Sequence, residues 1–400
     1  MIKTPMSLRP HIAIFGRRNT GKSSLINAIT NQGTALVSRH KGTTTDPVYK
    51  TMEILPLGPI VLIDTAGIDD TGELGELRIK RTEDVINKID VGIIVFDVNQ
   101  TDFSYEKELI RKIKNKHKDY ILVANKSDIK HKKLDYSKMF TKEVLKVSSL
   151  SKVGIKELKE VIGHLLNIEI QNKPLVSEFV SKGDVIILVT PIDSAAPKGR
   201  IILPQQQTLR EILDVGGISI VIQATQLKET LNKIKPKLVI TDSQVFEYVS
   251  EITPLDVKLT SFSILFARSK GNLNALVSGV KALDSLVDGA NILISEGCTH
   301  HRQCEDIGTV KIPSWLKEYT KKKFNIKYSS GHTFEEELKG VDLVIHCGAC
   351  MLNKNEMEYR LESVNNRKIP IINYGIFIAY IHGIFKRAVE IFPETKDIWE

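Results

Sequence analysis

Residues 16–24 have the spacing of a phosphate-binding loop: Gly-Arg-Arg-Asn-Thr-Gly-Lys-Ser-Ser. An apolar run precedes this loop at 11–15 and a helix-forming run follows it, which is the strand–loop–helix context that the motif needs. The glycines let backbone N–H groups turn toward phosphate oxygens, and the helix N-terminus adds partial positive charge. The pattern places the Lys22 ammonium at the β and γ phosphates and the Ser23 hydroxyl on magnesium. The loop residues predicted to bind a nucleotide are Gly16, Asn19, Thr20, Gly21, Lys22, Ser23 and Ser24.

A second set of residues indicates which base is bound. The sequence Asn-Lys-Ser-Asp at 125–128 follows an apolar run at 120–124. Asp128 can accept hydrogen bonds from N1 and N2 of guanine, and adenine lacks both donors, so the site should discriminate strongly for guanine. Ser148 and Ser149 follow another strand and are predicted to contact the base oxygen through backbone N–H groups. The predicted base site consists of Asn125, Lys126, Asp128, Ser148 and Ser149.

The residues between these two motifs are suited to a switch and a magnesium site. A polar stretch at 41–47 precedes two runs, 48–55 and 60–64, that predict a hairpin. The second run ends in Asp-Thr-Ala-Gly at 64–67, where Asp64 can hold magnesium through water and the Gly67 N–H can meet the γ-phosphate. Ile68 comes next, where a Ras-like enzyme has a water-orienting glutamine. Hydrolysis must therefore use another group or be slow.

The four cysteines all lie between residues 298 and 350. Apolar runs at 291–294 and 341–345 lead into Cys-Thr-His at 298–300 and His-Cys-Gly-Ala-Cys at 346–350. Because the carboxyl ends of parallel strands meet at one edge of a sheet, we expect Cys298, Cys347 and Cys350 to converge there. Such a set fits a closed structural zinc site, an iron–sulfur cluster with a non-cysteine fourth ligand, or a redox-active Cys347–Cys350 pair.

Composition and patterning supply the elements that position these groups. Four hundred residues, 42% hydrophobic and 26% charged, are enough for two or three soluble domains. Alternating strand and helix patterns predict an α/β fold: a P-loop GTPase domain followed by two smaller α/β domains, the last carrying a metal cluster. We place the GTPase domain at 1–170, a small α/β domain that we expect to form a dimerisation surface at 171–260, and the domain that carries the cysteines at 261–400. Apolar runs at 263–266, 292–294, 343–345 and 369–373 mark the elements of the last domain.

The charge and the apolar runs limit the partners. The net charge of +8 leaves an acidic partner open, but the basic residues are dispersed and not interleaved with aromatic residues, so nucleic acid is not an expected partner. The N-terminal residues lack the apolar core that a signal peptide would have, and no apolar run is long enough to cross a bilayer. We expect a cytoplasmic protein without membrane contact.

The motifs of the first 165 residues, in their order and spacing, resemble the TrmE-like branch of the translation-factor-related GTPases, which has a Gly-Thr-Thr-x-Asp switch like that at 42–46. The resemblance implies slow, potassium-stimulated hydrolysis, with Asn19 helping to bind a potassium ion that stands in for an arginine finger. It also implies Thr44 as the switch ligand of magnesium, beside Ser23 and Asp64, and offers Glu73 or Glu76 to orient the water. The residues then predicted to take part in catalysis are Asn19, Lys22, Thr44, Asp64 and Gly67.

Taken together, the GTPase motifs, the small middle domain and the cysteine pattern make the whole chain similar to the HydF family, the maturation GTPases of iron-only (FeFe) hydrogenases. An Ala-Pro-Lys-Gly-Arg stretch at 196–200 also resembles that family. The resemblance implies a 4Fe-4S cluster held by Cys298, Cys347 and Cys350, with an exchangeable fourth position. The fourth ligand is open among His300, His346, Cys304 and Glu305; His346 is equally suited to a supporting or core role.

The same resemblance implies a role in metallocluster assembly. The chain would receive a di-iron subcluster, hold it transiently and pass it to the apo FeFe-hydrogenase. Its implied partners are that apo-hydrogenase, two radical-SAM maturases and a second copy of the chain, paired through the middle domain. The rival hypothesis is an RNA-directed TrmE-like GTPase with a structural zinc site. Salt-dependent RNA binding and bound zinc in place of iron would favour the rival.

Overall fold

The fold was obtained as a computed structural model, which describes residues 5–30, 47–54, 58–65, 73–130, 134–166, 173–191, 201–297, 306–331 and 334–399. The chain divides into two compact units, Met1–Gln171 and Asn172–Glu400. We call them the N-terminal unit and the C-terminal unit. The division into three domains predicted from the sequence remains a prediction.

The N-terminal unit contains a six-stranded sheet in the order β2-β3-β1-β4-β5-β6. The pair β2–β3 is antiparallel, as the predicted hairpin requires, and the other neighbouring pairs are parallel. The strands are β1 His11–Phe15, β2 Val48–Ile54, β3 Gly58–Asp64, β4 Val91–Asp97, β5 Asp119–Asn125 and β6 Val144–Lys146. The helices are α1 Lys22–Thr30, α2 Glu73–Ile86, α3 Ser104–Asn115 and α4 Ile155–Leu166.

This sheet is covered by helices on both faces. Alternate residues of β1 point to opposite sides: Ile12 and Ile14 pack with residues of α1 and α4, whereas Ala13 and Phe15 pack with residues of α2 and α3. Strands buried on both faces are apolar throughout rather than alternating, which is why the runs in the sequence are continuous. The arrangement brings the carboxyl ends of β1, β3, β4 and β5 to one edge of the sheet.

The C-terminal unit contains two four-stranded parallel sheets, in the orders β10-β9-β7-β8 and β12-β11-β13-β14. The strands of the first sheet are β7 Val185–Val189, β8 Ile218–Ile222, β9 Leu238–Thr241 and β10 Lys258–Ser261. Those of the second are β11 Asn291–Glu296, β12 Asn325–Ser330, β13 Leu343–His346 and β14 Ile371–Asn373.

Eleven labelled helices accompany these sheets in the described part of the C-terminal unit. They are α5 Leu203–Asp214, α6 Leu227–Lys233, α7 Phe246–Ile252, α8 Phe262–Lys270, α9 Leu273–Ser278, α10 Lys281–Ser285, α11 Ile312–Thr320, α12 Lys354–Asn366, α13 Tyr374–Ile381, α14 Phe385–Val389 and α15 Lys396–Trp399. A single cluster of buried apolar residues joins both sheets. The α/β class predicted from the sequence is confirmed in both units.

Two features of this unit differ from what the apolar runs indicated. The run at 263–266 lies in helix α8, whose N-terminus is capped by Ser261, the side chain of which accepts a hydrogen bond from the Ile264 N–H at 3.3 Å. A short apolar run fits a buried helix as well as a buried strand, so its pattern did not decide between them. Strand β12 gave no apolar signal because it is an edge strand and most of its residues are partly or fully exposed.

Within the described residues, no helix is both long enough and apolar enough to cross a membrane.

Arg268 ties the beginning of the C-terminal unit to its end. The side chain is 5% exposed, its guanidinium donates to Glu178 and Glu394, each at 2.6 Å, and it also contacts the rings of Phe179 and Phe392. Burial alone would raise the pKa of Glu394, but the hydrogen bond and charge of Arg268 outweigh it, so the pKa lies below its usual range.

This pair predicts a pH dependence of stability. A carboxylate with a lowered folded-state pKa stabilises the fold above its unfolded pKa, and the contribution is lost as the pH falls through the folded pKa. We expect wild type to be more stable than Glu394→Gln near pH 7, and the difference to shrink from about pH 4.5 downward. Denaturant unfolding of both proteins at a series of pH values measures this difference in the free energy of unfolding. A difference that stays constant, or grows on acidification, would contradict the assignment.

Candidate functional site

The predicted phosphate loop connects β1 to α1 and is shaped by two glycines in conformations that other residues rarely adopt. Gly16 has φ +153° and Gly21 has φ +87°. A side chain at Gly16 would place its Cβ 2.2 Å from the Val95 carbonyl oxygen, and one at Gly21 would lie 2.3 Å from Asn125 Nδ2. Both positions therefore require glycine, because Gly16 lies directly against the backbone of β4 and Gly21 directly against Asn125 of the predicted base site.

Lys22 is directed into the curve of this loop. Its ammonium donates hydrogen bonds to the carbonyl oxygens of Gly16 at 2.7 Å and Arg17 at 2.9 Å. Thr20, which is buried, also donates to the Arg17 carbonyl through its hydroxyl, at 2.9 Å. Asn19 lies between these residues with φ +60°. The loop is thus curled around a positive charge, as a site for anionic phosphate groups requires.

Two residues predicted to hold magnesium lie together beside this loop. Asp64 ends β3, where its register partner on β1 is Ile14, and its carboxylate is hydrogen-bonded to Ser23. Burial raises the pKa of Asp64, whereas the charges of Lys50 and Lys22 and the bond from Ser23 lower it. A divalent cation at this position would favour the ionised carboxylate in the same way.

Other predicted members of the phosphate and magnesium site are not covered by the structure. Thr44, Gly67 and Ile68 lie outside the described residues. Helix α2 begins at Glu73, but the side chains of Glu73 and Glu76 are also outside the described part. Their roles remain predictions.

The predicted base-site residues converge at the ends of β5 and β6. Asn125 is buried, donates to the Thr20 carbonyl at 3.0 Å and accepts from the Ser149 N–H at 3.1 Å, so it links the phosphate loop to the loop after β6. The Ser148 hydroxyl donates to Asp128 Oδ1 at 2.5 Å and fixes the carboxylate that is expected to read guanine.

Sequence reasoning missed one partner in this site. Lys126, with φ +65°, pairs with Asp97 at the end of β4 at 2.8 Å. Burial raises the pKa of Asp97, but the hydrogen bond and charge of Lys126 and a backbone bond from Asn99 bring it below its usual value. The position of Asp97 at the carboxyl end of a buried strand was the available signal, since site residues gather at that edge.

The predicted metal centre lies at the carboxyl edge of the second sheet of the C-terminal unit. Strands β11 and β13 are parallel neighbours, with Ser295 opposite His346. Cys347 follows at once, and its backbone N–H donates to the Ser295 carbonyl at 2.9 Å. Its Sγ accepts hydrogen bonds from the N–H groups of Gly297 at 3.2 Å and Ala349 at 3.4 Å. Cys347 therefore lies against the residue that immediately precedes Cys298.

The donor set fits the implied cluster as far as the described residues reach. Cys347 and Cys350 lie in one loop and are not joined in a disulfide, and N–H···S bonds of the kind made to Cys347 help to tune iron–sulfur clusters. Within the described part of the chain, no three metal-ligating side chains form a group. The remaining candidates, Cys298, His300, Cys304 and Glu305, are outside it.

Both described thiols have pKa values above their usual range in the chain without metal. Burial raises the pKa of Cys347 to about 11, although the bonds from Gly297 and Ala349 lower it. Burial also raises the pKa of Cys350, with the charge of Lys270 acting in the opposite direction. Because the thiolate is the ligand, a metal that binds here must release these protons.

His346 is fully buried and has a protein partner at each ring nitrogen. Arg360 Nη1 lies 3.0 Å from Nε2, and the Cys347 carbonyl oxygen lies 2.8 Å from Nδ1. Arginine can only donate, so Nε2 is the acceptor and the Nδ1–H donates to the carbonyl. Burial and the charge of Arg360 lower the pKa of His346 to about 3. This arrangement favours the supporting role for His346 over that of fourth ligand.

Arg360 is a buried residue of α12 that sequence reasoning did not single out. Besides His346, its guanidinium donates to the Gly331 carbonyl at 2.5 Å, pairs with Glu356 at 3.3 Å and lies over the ring of Phe334. The surrounding residues of α12 are mainly polar, so its sequence is typical of a solvated helix and carried no signal of a buried arginine.

Comparison with known families identifies the C-terminal unit. A family model described as "Hydrogen maturase F dimerization domain" matches residues 175–271, and one described as "Hydrogen maturase F tetramerization domain" matches residues 274–391. Together the two models cover more than half of the chain. The chain belongs to the hydrogen maturase F family. The family resemblance drawn from the motifs is thereby confirmed, and the description of the second model adds tetramerization, whereas the motifs did not decide between a dimer and a tetramer.

The N-terminal unit of this hydrogen maturase F member matches GTPases. A model described as "50S ribosome-binding GTPase" matches residues 11–126. The tRNA modification GTPase MnmE of Aquifex aeolicus (strain VF5) is 36% identical over 152 residues, which are 38% of this chain and 33% of that protein. The MnmE of Thermoanaerobacter sp. (strain X514) is 35% identical over 159 residues, 38% of this chain and 34% of that protein. The chain thus spans about a third of the length of these curated relatives.

Among solved structures, the G domain of the T. maritima FeoB iron transporter is 26% identical, with 39% of this chain and 98% of that chain covered and a TM-score of 0.32. The family models settle the domain type: the chain has a P-loop GTPase domain, which implies binding of GTP and Mg²⁺. The two hydrogen maturase F domains support an oligomeric protein.

Proposed function

We propose that this chain is a GTP-hydrolysing scaffold or carrier that assembles or delivers the di-iron subcluster of the FeFe-hydrogenase active site. It would hold a 4Fe-4S cluster on Cys298, Cys347 and Cys350, with an exchangeable fourth position. The observation that carries the proposal is the placement of Cys347 and Cys350 in one loop at a sheet edge, with Cys347 against the residue before Cys298, in a chain of the hydrogen maturase F family. A cluster with one exchangeable ligand supplies an iron position at which cargo can be held and released.

The described residues support distinct parts of this function. In the N-terminal unit, Lys22 and the loop N–H groups would bind the phosphates, Ser23 and Asp64 would hold magnesium, and Asp128 would select guanine. In the C-terminal unit, the N–H groups of Gly297 and Ala349 would orient Cys347. The partners would be the apo-hydrogenase and two radical-SAM maturases.

A transfer experiment tests the carrier role. The full chain is loaded anaerobically with the two maturases, separated from them by gel filtration and mixed with apo-hydrogenase, and hydrogen evolution is measured. We expect activity to appear with loaded protein, and not with protein that carries only its own reconstituted 4Fe-4S cluster. Equal activation by both samples, or by neither, would contradict the carrier role.

Potassium should stimulate GTP hydrolysis. Asn19 lies in the phosphate loop with φ +60°, and the family resemblance assigns such an asparagine to a potassium ion that replaces an arginine finger. We expect the rate in potassium to exceed that in sodium by at least about tenfold, a small part of what an arginine finger supplies. Asn19→Ala should lose this difference and still bind GTP. Equal rates of the wild-type chain in the two salts would contradict the assignment.

The open edge of strand β8 is the surface that we propose for dimerisation. Among the strands that the structure describes, β8 pairs only with β7, and Ile218 and Val221 on it are 50% and 43% exposed. The Ile218 N–H donates to the Asp184 carbonyl and the Ile222 carbonyl accepts from Thr190, so these alternate residues face β7. Val221 therefore presents its own N–H and carbonyl to the open edge, where a second copy can add a strand.

Val221→Pro tests this edge. Proline removes the outward N–H without removing a bond to β7, and an edge strand tolerates it at such a position. We expect Val221→Pro to halve the mass measured by sedimentation, whereas Val221→Thr, which keeps the N–H, should leave it unchanged. An unchanged mass in both variants would place the dimer contact elsewhere.

A further inference from the structure

Lys270, the last residue of helix α8, holds the loop that carries the two described cysteines. Its side chain is 5% exposed, and its ammonium donates to three carbonyl oxygens: Ala349 at 3.0 Å, Cys350 at 2.8 Å and Leu352 at 2.7 Å. A lysine ammonium has three N–H donors, so all of them are used on this one loop. Without Lys270, these three carbonyl oxygens would need hydrogen bonds from water.

The loop needs this support because one of its residues is strained. Ala349 lies between the two cysteines with φ +54°, a conformation that residues other than glycine rarely adopt. Its N–H donates to Cys347 Sγ while its carbonyl accepts from Lys270. Strained residues persist only where their surroundings fix them. The ammonium is one of the groups that fix Ala349, and through it the relative orientation of the two thiols.

The two residues before Lys270 hold a different segment, the first described residues of the C-terminal unit. Ser269 donates through its hydroxyl to the Lys173 carbonyl at 2.7 Å, and Arg268 donates to the Pro174 carbonyl at 3.3 Å. By sequence, this segment continues the chain that leaves the GTPase domain after α4.

The same segment is also fixed from its N–H side. The Glu211 carboxylate on α5 accepts the backbone N–H groups of Leu175, Val176 and Ser177 at 3.0, 3.0 and 2.8 Å. Carbonyl groups of the segment are thus held by α8 and its N–H groups by α5. A segment anchored in this way moves together with the elements that hold it.

We propose that the last turn of α8, residues 268–270, couples the chain segment entering from the GTPase domain to the cysteine loop. Arg268 and Ser269 hold the entering segment and Lys270 holds the loop, and three consecutive residues of one helical turn do not shift independently. Lys270 is thus a positioning residue for Cys347 and Cys350. The inference rests on the proposed function, since it gives described residues of the C-terminal unit a part in the route by which nucleotide state reaches the cluster site.

The positioning role is tested on the apo full chain with Lys270→Met, which keeps an unbranched side chain one atom shorter and removes its donors. Alkylation of Cys347 and Cys350 by iodoacetamide is followed for each site by mass spectrometry under reducing, anaerobic conditions. We expect both sites to react at least about tenfold faster in the variant, because a loop without its anchor opens more often. Lys281→Met, at an exposed lysine of α10, is the matched control and should react as wild type does. Equal rates in Lys270→Met and wild type would overturn the positioning role.

The coupling is tested by comparing alkylation with GDP and with a non-hydrolysable GTP analogue. We expect wild type to show a nucleotide-dependent difference in rate at Cys347 and Cys350. Ser269→Ala and Arg268→Gln should reduce that difference, and Ser269→Ala should leave GTP hydrolysis unchanged. Ser269→Ala removes a single exposed hydrogen bond, so we expect this variant to fold. It therefore provides the test even if Arg268→Gln does not fold.

Two results would overturn the coupling: no nucleotide effect in wild type, or an undiminished effect in both variants. Nucleotide binding and the capacity to take up iron and sulfide are measured on the same preparations. A chain that binds GTP and assembles a cluster but shows no coupling retains the proposed function and refutes only this inference. A chain that does neither refutes the proposed function itself.

Discussion

Replacing Asp128 by asparagine should change the nucleotide preference from GTP to XTP. The carboxylate accepts two hydrogen bonds from guanine, whereas an asparagine amide offers one acceptor and one donor, which match the N1–H and the O2 of xanthine. A site built to bond both donors of guanine loses about 10²–10⁴ in affinity when one of them faces another donor. Ser148 holds the Asp128 side chain at 2.5 Å, so the variant amide should occupy the same place.

The measurement is competitive binding of GTP and XTP to wild type and Asp128→Asn. Asp119→Asn is the matched control, because Asp119 is an exposed carboxylate at the start of β5 in the same unit. We expect weaker GTP binding and stronger XTP binding in Asp128→Asn alone. Weaker binding of both nucleotides would show that the substitution disturbs the site as a whole. Unchanged affinity for GTP would show that Asp128 does not belong to the base site.

Replacing Cys347 by serine should abolish retention of the iron–sulfur cluster. The serine hydroxyl is nearly the same size as the thiol but is a poor replacement for a soft thiolate ligand of iron. The N–H groups of Gly297 and Ala349, which now donate to Sγ, can donate to the serine oxygen, so we expect the fold to persist. Iron and sulfide should fall from about four each per chain to near zero.

GTP hydrolysis by Cys347→Ser provides an internal control, because the predicted nucleotide site lies wholly in the N-terminal unit. We expect the variant to hydrolyse GTP as wild type does in the absence of a cluster. Undiminished iron and sulfide in the variant would remove Cys347 from the ligand set. Loss of hydrolysis together with iron would indicate misfolding instead, which circular dichroism would detect.

Much of the fold could be predicted from local patterns. Strand β1 has the bounds that its apolar run gave, because a strand buried on both faces is apolar until its last residue. The proximity of Cys347 to residue 297 could also be predicted, since it follows from placing two parallel strands side by side. The apolar run at 263–266 did not predict its element type, because its length is compatible with a strand or a helix.

The supporting residues of both sites could not be predicted in the same way. Lys270 and Arg360 are buried charges with acceptors far away in sequence: the nearest acceptor of Lys270 is Ala349, 79 residues away, and Arg360 donates to Gly331, 29 residues away, besides pairing with Glu356 on its own helix. Their own neighbours in sequence give no sign of that burial. The partner of a buried charge is chosen by tertiary packing, and only the folded chain brings such groups together. His346 shows the same limit, because its ring partners decide between a ligand and a support.

The most direct test of the account is metal and sulfide analysis of the wild-type chain, purified anaerobically and reconstituted, together with its absorption spectrum. We predict about four irons and four sulfides per chain and a brown charge-transfer band, as a 4Fe-4S cluster requires. One tightly bound zinc per chain, with no capacity to take up iron and sulfide, would contradict the account. The cysteines would then form a structural site, and salt-dependent binding of RNA would be the next property to measure.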